Sequence, residues 1–500
     1  MTSSTVEYGA RRALIVFGVM LASLLGRIDG TIVNVALPTI QGNLGATYDE
    51  ATWIIIGYLM ANVVVIPLTP WLTMRFGRRN AFVGAIAGFT VMSLLCATAT
   101  SVQQLVLFRV LQGTFAGGID SAANSVLTST FPREKIGLAQ SIFSLSAASA
   151  PPFGLLLGGI LTDNLSWQWC FLINVPLGTA SVLVLAMMLR NGSEGSASKQ
   201  TRVDTVGLML LATGPSLLVY VLSEGDRYDW FNDPNLVLSA TIGALATAAF
   251  IVWELRWART PIVDLRIFKF RRVSVGATLF VGNAFVYLAS MVFLPQYAQD
   301  VLGYTPTQSG LLVLMRSLPT ALIVPIAGSL AGSGRIDVRA LVGGGFVAMA
   351  IGGYWQCLAM TPDTNDSALF WPLMISGIGN SFTFSPLFVA IIGGVPAVER
   401  PKAAAVISVT IQLGGALATA ILITLLHVRS VFHQTVLASN ATLGRTAVTD
   451  YVHHFGVVAL NGVVEAQARA FAYADIAFVI SLVAIATAPL VILLGRPRPA

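Results

Sequence analysis

Charge is scarce in this 500-residue chain: Asp, Glu, Lys and Arg make up only 10% of it, whereas 55% of its residues are hydrophobic. An average soluble domain carries about 25% charged residues, so an ordinary water-facing surface is excluded. Cysteine is nearly absent. Cys96, Cys170 and Cys357 all fall inside apolar runs and read as small apolar side chains, which excludes a disulfide framework. None of the four lysines (Lys135, Lys199, Lys269, Lys402) precedes Ser or Thr, so a P-loop is excluded, and with it ATP hydrolysis by that route. There is no G-x-S-x-G elbow and no H-E-x-x-H pair. The four histidines (His427, His433, His453, His454) gather at or within one segment, 428–472, where they read as solvated loop residues more simply than as metal ligands or pH sensors. No catalytic residue, metal or cofactor is expected.

What is present is apolar length. A helix needs about 20 mostly apolar residues to carry its backbone through hydrocarbon with every N–H and C=O bonded internally. Fourteen such stretches occur, near 13–37, 51–73, 80–99, 102–128, 137–161, 168–189, 205–223, 236–255, 273–297, 308–331, 340–359, 368–393, 402–427 and 473–495. The chain is expected to be an all-α polytopic membrane protein. With the N-terminus inside, 22 of the 29 basic residues fall in cytoplasmic segments and four, Arg227, Arg429, Arg445 and Arg469, on the opposite side. That excess predicts cytoplasmic termini. The net charge of +6 then reflects topology, and nucleic acid is not an expected partner.

The sequence also repeats. Leu37 and Pro38 followed by Leu44 and Gly45 return as Leu294 and Pro295 followed by Leu302 and Gly303. Pro67, Pro70 and Leu72 before a basic turn return as Pro325, Gly328 and Leu330 before Arg335. Two six-helix halves are predicted, residues 1–190 and 257–500, with two inserted helices between them in 191–256 and an outward segment at 428–472. Repeated halves about a central site are a common basis for alternating access in secondary transporters.

Ionisable residues inside spans are costly and usually functional. Here they are Arg27 and Asp29 in the first span, Arg109 and Asp120 in the fourth, and Arg316 in the tenth. At 1.5 Å per residue, Asp29 lies about 14 Å, Arg109 about 10 Å and Arg316 about 12 Å below the outer surface, with Arg27 slightly deeper in the same belt. Asp29 and Arg109 can therefore pair across helices. Arg27 and Asp29, two residues apart, point to nearly opposite faces; Arg27 shares its face with Thr31 and Asn34, and Arg109 shares one with Gln112, Gly113 and Asp120. Asp120 lies about three turns deeper than Arg109, out of its reach. Asp29 is a candidate proton carrier, because burial and a neighbouring arginine act on its proton affinity in opposite directions. The alternative is a fixed ion pair that only locks helices together. Asp120 either takes part in coupling or sits in a cytoplasmic vestibule.

At these residues the chain resembles the major facilitator superfamily, its 14-helix drug:proton antiporters, and within them the EmrB branch. Residues 28–38, from Ile28 through Asp29 and Asn34 to Pro38, resemble that family's first-helix signature. Arg75, Gly77, Arg78 and Arg79 resemble its basic turn, with Met74 where many members carry aspartate. Arg109 to Gly113 is similar to the fourth-helix arginine motif, and Pro151, Gly154, Gly158 and Gly159 to the fifth-helix antiporter motif, with Leu155 in place of a second proline. Trp167, Trp169, Phe171, Asn174, Pro176 and Gly178, then Asp229 to Phe231, Trp253 and Glu254, and Pro261 to Leu265 extend the match. The resemblance implies a major facilitator fold in a bacterial inner membrane and export of lipophilic drugs against inward proton flow. It also implies a periplasmic adaptor and an outer-membrane channel as partners, for which 428–472 is a candidate contact.

Three arginines and one aspartate in the outer belt suit weakly acidic or neutral amphiphiles better than lipophilic cations, since a buried cation needs a counter-charge. Arg27, Asn34, Gln112, Arg316, Phe285 and Trp355 are candidate cavity residues. Proton-coupled uptake of a small organic anion on the same fold remains a second reading, and an embedded enzyme or sensor a third.

Overall fold

The computed structural model describes residues 9–131, 150, 153–189, 204–225, 227–258, 261–333, 336–396, 399–442 and 444–495. Pro151 and most of the predicted span 137–161 lie outside the described residues. So do Asp226 and the basic residues Arg133, Lys135, Arg190, Lys199, Arg202, Arg259, Arg335, Arg496 and Arg498.

The helices run in order as α1 (Gly9–Leu44), α2 (Tyr48–Val65), α3 (Thr69–Phe76), α4 (Arg78–Ala97), α5 (Val102–Thr130) and α6 (helical over 153–164). They continue as α7 (Trp169–Leu172), α8 (Asn174–Met188), α9 (Thr205–Glu224), α10 (Pro234–Val252) and α11 (Arg271–Asp300). The last five are α12 (Pro306–Gly332), α13 (Val338–Ala359), α14 (Asp366–Gly393), α15 (Arg400–Asn440) and α16 (Thr446–Thr487). Among the described residues no strand occurs, and twelve helical stretches are long and apolar enough to cross a membrane. Adding α5 and α6 makes the architecture compatible with fourteen crossings. The predicted span 51–73 is broken: Pro67 lies in a 3-10 turn, Ile66–Leu68, between α2 and α3.

The internal repeat is written in the helix ends. Both α1 and α11 carry a proline near their end, Pro38 and Pro295, and each is followed by a glycine at positive φ, Gly45 at 60° and Gly303 at 67°. Only glycine adopts that conformation without steric cost. A capping box then opens the next helix in each case: Thr47 with Glu50 before α2, and Thr305 with Gln308 before α12. Three features thus recur in the same order, which a chance match of two apolar segments would not produce.

Two faces can be distinguished: the basic face, where α1 begins and Arg78 and Arg79 lie, and the far face, where α1 meets α2. At the far face the N-terminal helices (α1–α8) and C-terminal helices (α11–α16) are packed together. Asn34 Nδ2 donates to Met291 O at 3.2 Å, Gln299 Nε2 to Val35 O at 2.8 Å, and the Thr307 N–H to Asp163 Oδ2 at 2.7 Å. Close approach there depends on α6. A Cβ on Gly158 would collide with the Ile32 carbonyl oxygen of α1, and one on Gly159 would lie 2.5 Å from Pro306 O of α12. In lipid, such small-residue contacts let backbones meet. One apolar core spans both sets of helices, whereas a second, around Ile15, Val19, Phe82, Phe89 and Val126, belongs to the N-terminal set alone. The pair α9 and α10 packs on itself and, through α9, on α2 and α15. Trp53 Nε1 donates to Glu224 Oε1 at 2.9 Å, and Thr424 Oγ1 to Leu222 O at 2.6 Å.

Segment 428–472 departs from the loop expected of its histidines. It is a helical hairpin made by the continuation of α15, which ends at Asn440, and the start of α16 at Thr446. α16 carries a joint at Gly456, whose φ of 84° is not helical. Asp475 clasps the hairpin at its root, accepting from Arg429 Nε at 2.5 Å and meeting His433 Nε2 at 2.7 Å. His453 and His454 are exposed.

Candidate functional site

Two charged layers join α1 to α5, and the side-chain directions of α1 determine which residue enters which layer. Asp29 turns inward and is wholly buried. Its Oδ2 pairs with Arg109 Nη1 at 2.5 Å, while its Oδ1 accepts from Asn174 Nδ2 at 2.8 Å and Gln112 Nε2 at 3.2 Å. Arg109 is equally buried. It also donates from Nη1 to Gln112 Oε1 at 2.7 Å and from Nε to Ile54 O at 3.3 Å, and its guanidinium stacks 4.1 Å from the Tyr58 ring centroid. Ser93 closes the network: it accepts from Gln112 and Asn174 and donates to Phe171 O at 3.0 Å. Side chains of α5 and α8 thus meet the one carboxylate of α1, and α2 and α4 complete the network around them.

The second layer is open. Arg27 Nε meets Asp120 Oδ1 at 3.0 Å, and Ser23 Oγ donates to the same oxygen at 3.2 Å. The Asp120 side chain keeps 49% of its surface accessible, against none for Asp29. Asp120 is therefore accessible in mid-helix. This corrects the outer belt inferred for Arg27: its side chain reaches down to Asp120, and of the three belt arginines Arg109 and Arg316 are the buried ones. Asp120 and Arg109 do not meet, as their separation along α5 requires.

Arg316 on α12 is 1% exposed, yet no described carboxylate pairs with it. Its Nη2 donates weakly to Val286 O at 3.4 Å, its guanidinium lies 5.8 Å from the Tyr287 ring centroid, and its Nε has no partner among the described residues. Asn34 is buried with its Oδ1 likewise unpartnered. Phe285 is half-buried on α11. Trp355 is corrected. It is 45% exposed in an outer groove of about 530 Å³ between α13 and α16, with Ile351, Tyr354, Leu358, Ser481 and Ile485, away from the charged layers.

Among the basic-turn residues, Arg75 is exposed, Gly77 joins α3 to α4 at φ 80°, Arg78 donates to Ser129 Oγ at 2.6 Å and Arg79 to Ala186 O at 3.1 Å. Gly154 and Gly158 face α1, and Gly159 faces α12. The later motifs mostly serve as helix ends and turns. Asp229, at φ 56°, leads into the turn Trp230–Asn232, the Ile262 N–H donates to Glu254 Oε1 at 3.2 Å, and Asp264 pairs with Lys402 at 3.0 Å. Ser93 and Tyr58 escaped the reading of the sequence, and Asn174 was given no contact there. A polar residue inside an otherwise apolar span is the signal that would have found Ser93.

Among known proteins, the family model of the Major Facilitator Superfamily matches residues 19–419. The chain belongs to the Major Facilitator Superfamily. Within it, the chain is 34% identical over 432 residues to the multidrug export protein EmrB of Haemophilus influenzae, covering 86% of this chain and 84% of that one. It is 34% identical to the EmrB of Escherichia coli K12, with 86% and 83% covered, and 33% identical to the fatty acid resistance protein FarB of Neisseria gonorrhoeae, with 87% and 84% covered. The fold of this superfamily member is similar to that of a bacterial homolog of the lysosomal transporter Spinster in an inward-facing, occupied conformation. There the TM-score is 0.63 at 16% identity, covering 99% of this chain and 100% of that one. It is also similar to a D-xylose–proton symporter, with a TM-score of 0.60 at 13% identity, covering 94% and 96%.

Proposed function

We propose that this protein exports lipophilic compounds, weakly acidic or neutral, across a bacterial inner membrane in exchange for protons. The observation that carries the reading is the contrast between two carboxylates held by arginines from facing helices: Asp29, sealed in a complete network, and Asp120, half accessible. Asp29 is the proton carrier. Parting α1 from α5 takes Arg109 from Asp29, and a carboxylate left in a low-dielectric site without its cation takes up a proton; closing the pair releases it. Arg27 and Asp120 stand on the route between that site and the cytoplasm, on the side where basic residues gather and both termini lie. The packed far face and the accessible Asp120 suit a protein loading substrate from within. The two halves, 1–190 and 257–500, rock about the site, the helices of 191–256 stay at the side seam, and the glycines of α6 form the far-face gate.

The relatives named for multidrug export support the direction of transport, and the one named for resistance to fatty acids, which are lipophilic acids, supports the substrate preference. A periplasmic adaptor and an outer-membrane channel would receive substrate beyond the hairpin 428–472. The test is substrate-induced proton release from proteoliposomes, with and without Asp29→Asn. Coupling should vanish in the variant while substrate still binds. Unchanged coupling would move the proton elsewhere, and a marked preference for quaternary ammonium compounds would reject the substrate class.

A further inference from the structure

Arg316 is a buried cation that the coupling scheme above does not use. A guanidinium out of water is costly unless its charge is met, and proteins ordinarily meet it with a carboxylate. Asp29 does so for Arg109 at 2.5 Å, whereas no described carboxylate does so for Arg316. What surrounds Arg316 is a long hydrogen bond to Val286 O, a carbonyl that also accepts from Ser290 Oγ at 2.7 Å, and the Tyr287 ring. The Nε–H is left over, and the Tyr287 hydroxyl hydrogen-bonds no described residue. Tyr287 is half-buried, so it is the accessible edge of an otherwise closed position. Further along α11, Met291 O takes the amide of Asn34, whose Oδ1 has no donor.

We propose that Arg316 and Tyr287 form the subsite for the acidic headgroup of an amphiphilic organic acid, with a carboxylate accepting from the guanidinium Nε–H and from the phenol. The substrate's own charge then completes Arg316 as Asp29 completes Arg109, and α11 and α12 are held together while it is bound. Asn34, reaching from α1 to α11, offers its free carbonyl oxygen to a hydroxyl or amide N–H on the same ligand and so links the N-terminal helices to the loaded site. This inference rests on the export reading, since it names the substrate class for that transport.

The experiment compares 4-butylbenzoate with 4-butylbenzamide, which share shape and differ in charge. Binding is measured by calorimetry on purified full-length protein, and flux in proteoliposomes. A charge-assisted contact of this kind is expected to favour the acid by about tenfold or more in the wild type. Arg316→Gln should bring that ratio close to one, chiefly by weakening the acid, and Tyr287→Phe should lower it by a smaller factor. Arg316→Lys, which keeps the charge but loses the planar fork, should retain part of the preference, and it carries the test if Arg316→Gln does not fold. A wild-type ratio near one, or a preference untouched by Arg316→Gln and Arg316→Lys, overturns the subsite. Proton-driven flux of a neutral lipophile without discrimination between the two probes would sink the subsite alone. No flux of any compound would strike the export reading beneath it.

Discussion

The Asp29–Arg109 pair should behave as one unit under mutation, and its size can be worked from the geometry. Two unit charges about 4 Å apart attract by about 4 kcal/mol at an effective dielectric constant of 20. Removing one member of a buried pair leaves the other uncompensated, at a typical cost of about 3–5 kcal/mol. Arg109 would keep Gln112, Ile54 O and the Tyr58 ring after Asp29→Asn, and Asp29 would keep Gln112 and Asn174 after Arg109→Gln. Each single variant is therefore placed near the lower end, about 3 kcal/mol. The double variant strands no charge. It should cost little more than either single, which corresponds to a coupling of about 2–3 kcal/mol. Reversible unfolding titrations in mixed micelles on the wild type, both singles and the double would measure it. If the singles summed to the double within about 0.5 kcal/mol, the two groups would not be paired as described.

The open layer should respond oppositely. Asp120→Asn breaks a half-exposed pair and should change stability by less than about 1 kcal/mol, yet proton-coupled flux in proteoliposomes should fall sharply. Gly159→Leu drives a side chain into Pro306 O. Overpacking of about 1–3 kcal/mol would shift the equilibrium away from the far-face-closed state by roughly tenfold, read as faster maleimide labelling of a cysteine at Gln299. Unchanged labelling would refute the gate. Thr47→Ala and Thr305→Ala each remove a capping box and should each cost about 1 kcal/mol in the same unfolding titration; unequal effects would mean that the repeated helix starts are not equivalent in energy.

How much of the fold and site is legible in the sequence depends on which coordinate a residue's role needs. Depth along a helix follows from counting, and counting alone matches Asp29 with Arg109 and keeps Asp120 apart from Arg109. Reach is different. Arg27 finds Asp120 because a long side chain runs along its own helix towards the basic face, and residue counts locate backbones only. Rotation fails too when a helix is apolar all round. Nothing in α13 marks which face meets α16, so the sequence suggests a cavity for Trp355 when it lies in an outer groove. The hairpin escapes because a search for apolar length stops where polarity begins, whereas α15 stays helical for 41 residues regardless. The unpaired state of Arg316 is a statement about all its neighbours at once, which no single helix encodes.

That unbroken α15 has a mechanical consequence. At 1.5 Å per residue it is about 60 Å long, twice the thickness of the hydrocarbon layer. Its companion bends at Gly456, so one limb of the hairpin is a stiff strut and the other is hinged. Tilting the rod's embedded portion swings its tip through a wider arc than anything inside the bilayer travels. Whatever grips that tip would feel each turnover as a stroke, and clamping the tip would act as a brake on the transport cycle.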